Sequence, residues 1–279
     1  MTDTTPEVLL GLARDAAVEA GTMLAAQRPP GRSGRPEVTA TKSSPTDVVT
    51  EMDRAAEALI IGRLRAERPG DAVLGEEGGE SGRGRVRWII DPLDGTVNYL
   101  YGLPDWAVSI AAEVDGALVA GVVAVPVRGE VFTAVPGGGA WLRAGDGPPV
   151  ALRCNTGVPL AEALVATGFG YEAGRRAVQG EVVAAVLPRV RDIRRGGSAA
   201  VDLCSVAAGR VDAFYERGLN YWDYAAGGLI ATEAGARLGG LAGRPASPGF
   251  AIAADPALFT QLHGLLEGLR ADRDASGLP

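Results

Sequence analysis

Lysine, histidine and cysteine are almost absent from this sequence. Every one of its 27 basic residues except Lys42 is arginine, and the single histidine is His263. One histidine argues against a histidine-ligated zinc site and against a serine, histidine and aspartate triad. Cys154 and Cys204 allow at most one disulfide and lack metal-site spacing, so we expect buried, reduced thiols. If the protein is an enzyme, its chemistry must therefore use carboxylates, hydroxyl groups, the backbone or a metal ion.

Long apolar runs are also missing, although 47% of the residues are hydrophobic. No run approaches the roughly 20 residues needed to cross a bilayer. The N-terminal segment 1–7 has no basic region of the signal-peptide type, so we expect a cytoplasmic protein without a membrane partner. The formal net charge of -7 argues against direct binding to nucleic acid, which depends on neutralising phosphates.

The order of sequence patterns predicts a mixed α/β protein whose strands cluster instead of alternating strictly with helices. The N-terminal half, about 1–150, is predicted to have helices over 6–27 and 50–68, a mobile loop over 31–41 and an antiparallel meander over 106–143. The C-terminal half, about 151–279, is predicted to have strands at 163–167, 192–195 and 212–215, helices at 177–189, 198–208 and 225–234, and a last helix capped by Asp255. We expect both halves to form one domain, with a weak seam at Pro148-Pro149.

The segment Asp91-Pro92-Leu93-Asp94-Gly95-Thr96 carries the strongest functional signal. It follows the apolar run Trp88-Ile89-Ile90, which is typical of a strand that ends at a cleft. Two carboxylates three residues apart repel each other unless a cation lies between them, and oxygen ligands suit Mg²⁺ or Mn²⁺ better than zinc. The alternative is a solvated acidic turn.

Further acidic residues stand beside breaks in the predicted elements, namely Asp47, Asp53, Glu76, Glu77, Glu216 and Asp223. Each has a structural explanation on its own: Asp53 could lie on a helix face, Glu76-Glu77 in a loop, and Asp223 could cap a helix that begins at Ala225. The lone Lys42 indicates either a place that requires a compact point charge or a chance occurrence.

Three ordered motifs resemble those of the inositol monophosphatase family, and more narrowly of its bacterial SuhB-type members. They are Gly75-Glu76-Glu77, the segment 91–96 followed by Asn98, and Trp222-Asp223 followed by 225–227. The resemblance runs from Lys42 to Ala236 with helical flanks. It implies a five-layer α-β-α-β-α sandwich, a homodimer, and Mg²⁺-dependent hydrolysis of myo-inositol 1-phosphate that Li⁺ inhibits.

The resemblance also implies roles for individual residues at a site with two to three Mg²⁺ ions. Glu76, Asp91 and the carbonyl of Leu93 would bind the first ion, and Asp91, Asp94 and Asp223 the second. Glu76 would reach a third, weaker ion through water. The predicted catalytic residues are Asp53, Thr96 and Glu76, with the pair Asp53 and Thr96 orienting and deprotonating the attacking water.

Substrate contacts follow from the same resemblance. Backbone N–H groups of Gly95 and Thr96 would hold the phosphate. Asp94 would lie beside them and contact a substrate hydroxyl. Gly197, Ser198 and Ala199 would line the ring, and Glu216 would bond inositol hydroxyls. Ser198 stands where the family more often has threonine. Lys42 would be the cation of a mobile loop near the metal site.

Other functions stay open at this point. Histidinol phosphate, fructose 1,6-bisphosphate or an adenosine 3′,5′-bisphosphate could be the substrate of the same carboxylates, although Glu216 favours a polyol. The chain could instead act as a SuhB-like partner of the transcription machinery. We interpret the arginines at 191, 194 and 195 as a solvated face, with a phosphate or partner site as the alternative.

Overall fold

The computed structural model describes residues 3–27, 38–41 and 48–274, with the backbone alone at 38–41 and 48–50. The helices in these residues are α1 (Pro6–Gln27), α2 (Glu51–Glu67), α3 (Thr96–Tyr101), α4 (Ala173–Val186), α5 (Ala199–Ala207), α6 (Tyr221–Glu233) and α7 (Pro256–Gly268). The strands are β1 (Val38–Thr41), β2 (Val48–Thr50), β3 (Ala72–Gly75), β4 (Gly79–Ser81), β5 (Val86–Asp94), β6 (Ala107–Val114), β7 (Ala117–Val125), β8 (Glu130–Val135), β9 (Gly139–Ala144), β10 (Val150–Ala151), β11 (Leu164–Thr167), β12 (Asp192–Arg194), β13 (Ala213–Glu216), β14 (Arg237–Gly239) and β15 (Ala251–Ala254).

Two large mixed sheets form the frame of the protein. The first has eight strands in the order β10-β9-β8-β7-β6-β5-β3-β4, and the second has five in the order β12-β11-β13-β15-β14. In the first sheet only β3 and β5 run parallel, whereas β11 runs parallel to both β12 and β13 in the second. Strands β1 and β2 pair as a separate antiparallel ribbon.

The sheets alternate with three layers of helices. Helices α1 and α2 cover one face of the eight-stranded sheet, α5 and α6 fill the space between the sheets, and α4 and α7 cover the outer face of the five-stranded sheet. Four apolar clusters fill the four interfaces between these layers. The predicted α-β-α-β-α sandwich is therefore confirmed.

The central helix layer explains how the two sheets share a core. Helix α5 is buried along its whole length from Ala199 to Ala207, and α6 is buried from Tyr224 to Ala231. Helices that are apolar on all sides are stable only when packed on both faces. Because α5 and α6 also begin at the cleft described below, this packing fixes the start of each helix.

Most predicted elements are present, with differences at their ends. The predicted meander over 106–143 is confirmed as β6 to β9, and Asp255 caps α7 by accepting hydrogen bonds from the N–H groups of Ala257 and Leu258. The predicted loop over 31–41 is wrong at Val38–Thr41, which pairs as β1, while its other residues lie outside the described part. Strand β10 continues the first sheet beyond the predicted seam at Pro148-Pro149.

The helices and the two cysteines bear on membrane spanning and on disulfide formation. None of the helices in the described residues is both long and apolar enough to span a bilayer. Cys154 and Cys204 are free and buried, as predicted.

Candidate active site

A cleft of about 380 Å³ gathers nearly all the predicted site residues. Its walls include Glu76, Asp91, Leu93, Asp94, Gly95, Thr96, Gly197, Ser198, Ala199, Glu216 and Asp223. Glu76 follows β3 and Asp94 ends β5, and these parallel neighbours bring their carboxyl ends to one edge of the sheet. Lys42 and Asp47 lie outside the described residues.

An irregularity at the end of β5 directs the carboxylates of Asp91 and Asp94 into the cleft. The pairing of β5 with β6 shifts register between Asp91 and Asp94, as at a β-bulge. Asp91 is 2% exposed, and its Oδ1 accepts a hydrogen bond of 3.0 Å from the N–H of Leu93. The strand then turns at Gly95, whose φ of 96° is left-handed, and α3 begins at Thr96.

Gly95→Ala should destabilise the fold by about 2 kcal/mol or more. A Cβ at Gly95 would lie 2.9 Å from the carbonyl oxygen of Asp105 and would also require a side chain at positive φ. Gly116→Ala is the matched control, because Gly116 has φ of 84° and no atom within 4 Å of the added Cβ. Urea denaturation of both variants measures the difference, and equal losses would contradict the close approach at Gly95.

Thr96 and Asp53 form the pair that the motif predicts. The Oγ1 of Thr96 lies 2.9 Å from Oδ1 of Asp53 and 3.1 Å from the carbonyl oxygen of Leu93, so the hydroxyl can donate to either. Asp53 does not line the cleft itself but is 1% exposed on α2 behind Thr96. The pair can therefore relay a proton from the cleft to a buried carboxylate.

The carboxyl groups of the cleft crowd one another. Burial, reinforced by the charges of Glu76, Asp94 and Asp223, raises the pKa of Asp91 well above its usual value. Burial and the charges of Asp94 and Glu76 raise the pKa of Asp223 in the same way. The pKa of Asp94 rises only to about 6, because the burial is opposed by hydrogen bonds from Ser198 and Ala200.

This donor set fits a divalent cation bound by oxygen. Four carboxyl groups that repel one another in a buried cleft are relieved by positive charge, and carboxylate with carbonyl ligands suits Mg²⁺. Within the described ranges, no three acidic, histidine or cysteine side chains are already arranged to hold a metal ion. Some carboxylate oxygens bond to the protein instead: Oδ2 of Asp223 accepts from the N–H of Asn220 at 2.6 Å.

The opposite wall of the cleft is tied to Asp94 by hydrogen bonds. The Oγ of Ser198 donates to Oδ2 of Asp94 at 2.6 Å, and the N–H of Ala200 donates to the same oxygen at 2.7 Å. Ser198 also caps α5 by accepting from the N–H of Val201. Glu216 ends β13 beside this wall, and burial raises its pKa to about 8, so that it can donate as well as accept near neutral pH.

One sequence interpretation is wrong at the site, and another is incomplete. Asp223 does not cap a helix that begins at Ala225, because α6 begins at Tyr221 with Asn220 as its cap and Asp223 as the third residue of a capping box. The arginines at 191, 194 and 195 are all exposed, as predicted for a solvated face, but Arg195 also lines the cleft, with its guanidinium 5.9 Å from the ring centre of Phe169.

Sequence reasoning also missed part of the cleft wall. Phe169 and Tyr171 line it from the segment between β11 and α4, and Arg175 lines it from the first turn of α4. The only signal in the sequence was the glycine pair at 168 and 170, which marks a turn after a strand.

Comparisons with known proteins agree with this fold and cleft. The model of the inositol monophosphatase family matches residues 5–274. The inositol-1-monophosphatase of Mycobacterium leprae is 45% identical over 279 residues and covers 95% of each chain. The solved structure of Mycobacterium tuberculosis SuhB has a TM-score of 0.82 at 43% identity and covers 97% of this chain and 100% of its own. Escherichia coli Nus factor SuhB is 44% identical over 201 residues, which is 71% of this chain and 73% of its own.

The names of these relatives, together with the shared five-layer sandwich and its cleft of carboxylates, make the chain a phosphatase. Within that class, the chain belongs to the inositol monophosphatase family.

Proposed function

We propose that the protein hydrolyses myo-inositol 1-phosphate to myo-inositol and phosphate with two to three Mg²⁺ ions at the cleft. The observation that carries this proposal is the carboxylate cluster of Glu76, Asp91, Asp94 and Asp223, which lines the same cleft as Thr96. The names of the mycobacterial relatives support the substrate.

The predicted ligands divide between two ion positions. Glu76, Asp91 and the carbonyl of Leu93 would hold one ion, and Asp91, Asp94 and Asp223 the other, with Asp91 bridging. Bound Mg²⁺ supplies positive charge that offsets charge on the transferring phosphoryl group and makes the attacking water more acidic. A third ion would be reached by Glu76 through water.

The residues of the chain would then position and deprotonate the water. Thr96 accepts the proton of the water as it donates its own to Asp53, the buried carboxyl group at 2.9 Å. The N–H groups of Gly95 and Thr96 hold the phosphate oxygens. The left-handed φ of 96° at Gly95, which residues with a side chain rarely adopt, sets the direction of these N–H groups.

The polyol would lie against the opposite wall. Gly197, Ser198 and Ala199 would line the ring, and Glu216 would bond its hydroxyl groups from the end of β13. Ser198 stands where the family more often has threonine. Its hydroxyl group donates a hydrogen bond to Asp94, so the substitution retains a hydroxyl at this position. Lys42 would add a cation from the preceding loop.

Phosphate release from inositol 1-phosphate tests the proposal directly. We expect release that requires Mg²⁺, is abolished by chelation, is restored by added Mg²⁺ and is inhibited by Li⁺. A panel with histidinol phosphate, fructose 1,6-bisphosphate and an adenosine 3′,5′-bisphosphate should give lower kcat/KM for each. A value for histidinol phosphate that is higher by orders of magnitude would overturn the inositol assignment.

We further propose that the protein is a homodimer, which light scattering after gel filtration would test, and that it is cytoplasmic, which cell fractionation would test. A second role as a partner of the transcription machinery is favoured by one observation, the similarity to the Escherichia coli Nus factor. A pull-down with a metal-ligand variant separates the two roles, because an interaction that persists without catalysis supports the second one.

A further inference from the structure

The buried carboxyl group of Glu57 accepts hydrogen bonds from the turn that follows Glu76. It lies on α2 with 5% exposure. Its Oε2 accepts a hydrogen bond of 2.9 Å from the N–H of Glu77, and its Oε1 accepts one of 2.7 Å from the N–H of Gly78. Hydrogen bonds from backbone N–H groups to a carboxylate are among the stronger ones in proteins. Both oxygens of Glu57 therefore bind consecutive backbone groups just after Glu76.

The glycines on either side of the turn make room for this carboxyl group. A Cβ at Gly75 would lie 2.4 Å from Oε2 of Glu57, and a Cβ at Gly78 would lie 2.9 Å from Oε1. Any side chain at Gly75 would therefore displace the carboxyl group. The Gly75-Glu76-Glu77-Gly78 sequence thus has a packing requirement at both ends as well as an acidic centre.

Helix α2 acts on the cleft at two points one turn apart. Asp53 bonds the hydroxyl of Thr96, and Glu57, four residues later on the same helix, holds the turn after β3. Residues four apart lie on the same face of a helix. A single rigid element therefore sets the positions of Thr96 and Glu76 relative to each other.

We propose that Glu57 is a positioning residue that orients Glu76 toward the divalent cation. The proposal rests on the proposed function of the cleft. Partners that orient a metal ligand change metal affinity by about 10- to 100-fold when they are replaced. Glu57 holds the backbone that carries Glu76, so its replacement should loosen the ligand without removing it.

Direct Mn²⁺ binding tests the role of Glu57 without relying on activity. In Glu57→Gln, an amide N–H must face one of the two backbone N–H groups, so one hydrogen bond is lost. We expect Mn²⁺ affinity, followed by electron paramagnetic resonance of the free ion, to fall about tenfold or more. Half-maximal activity should require correspondingly more Mg²⁺, with KM for the substrate changed less.

Glu233→Gln is the matched control. The two oxygens of Glu233 accept hydrogen bonds of 3.0 Å from the N–H groups of Gly137, in the turn after β8, and Gly139, at the start of β9, both outside the cleft. This variant should lose a similar amount of stability to urea but bind Mn²⁺ as tightly as the wild type. If Glu57→Gln also binds Mn²⁺ with wild-type affinity, Glu57 is structural only and the inference is wrong.

A second variant keeps the test decisive if Glu57→Gln does not fold. Gly75→Ala changes neither Glu57 nor Glu76, but its methyl group would displace the carboxyl of Glu57, so it should also weaken Mn²⁺ binding. Unchanged affinity in folded Gly75→Ala would overturn the inference. Wild-type protein that binds Mn²⁺ but releases no phosphate would contradict the proposed function, and the variant comparison would still decide the role of Glu57.

Discussion

Asp91→Asn is expected to reduce phosphate release by about a thousandfold or more. Asp91 is the proposed bridge between two ions, so its loss weakens both positions at once. A thousandfold loss corresponds to about 4 kcal/mol of transition-state stabilisation, which matches the several kcal/mol that metal ions supply in such sites. Initial rates with inositol 1-phosphate at saturating Mg²⁺ measure the effect.

The same substitution should not destabilise the protein when divalent cations are removed. The carboxyl of Asp91 is buried beside Glu76, Asp94 and Asp223, and this repulsion is seen in its raised pKa. Asparagine keeps the oxygen that accepts from the N–H of Leu93 but removes the charge. We expect the thermal midpoint in a chelator to equal or exceed that of the wild type. Added Mg²⁺ should raise only the wild-type midpoint.

Asp146→Asn serves as the control for both measurements, since Asp146 is exposed in the turn after β9. It should match the wild type in rate and in the Mg²⁺ response. Mg²⁺-dependent activity of Asp91→Asn above about a tenth of the wild-type rate would show that Asp91 is not the bridging ligand, because loss of one bound ion alone costs more than that.

The fold could be predicted where a pattern repeats along the chain. The meander β6 to β9 is visible because valine runs are separated by glycine turns, and α1 because its apolar residues recur at helical spacing. The strands β3, β4, β14 and β15 are not predicted, because three or four residues cannot establish a period. The equally short β11, β12 and β13 are predictable only because predicted helices separate them. Helix α6 begins four residues earlier than predicted, because the Asn220 capping box includes Asp223, which was interpreted as the cap.

The sequence predicts which residues belong to the candidate site, but it does not predict the contacts between residues that are distant along the chain. Asp91, Asp94 and Thr96 lie in one segment, so their proximity follows from local structure. The contact between Ser198 and Asp94 joins residues 104 positions apart and depends on how α5 packs between the sheets. Glu57 has no motif of its own, and only the folded position of the turn after β3, 20 residues later, gives it a role.

Asp202→Asn is expected to stabilise the protein at neutral pH by up to about 4 kcal/mol. Asp202 is 6% exposed on α5, and its Oδ1 packs 2.4 Å from where a Cβ of Gly196 would lie. Burial, with the charges of Asp94 and Asp105, raises its pKa from 3.8 to about 8. Between these pH values the folded protein holds a proton that the unfolded chain has lost, so stability falls as the pH rises. Asparagine avoids this loss.

The pH dependence of unfolding distinguishes an effect of the raised pKa of Asp202 from a general packing effect. Urea denaturation in a chelator should show a small advantage of Asp202→Asn at pH 5 that grows by about 1.4 kcal/mol per pH unit up to pH 7, because one proton is involved. Asp115→Asn should show the opposite trend, since Asp115 is paired with Arg85 and its pKa is lowered, so it contributes stability that is lost as the pH falls. An equal advantage of Asp202→Asn at pH 5 and pH 7 would mean that Asp202 is ionised in the folded protein. The central helix layer would then carry a buried charge balanced by Arg195 and Arg128, the two cations that lower its pKa.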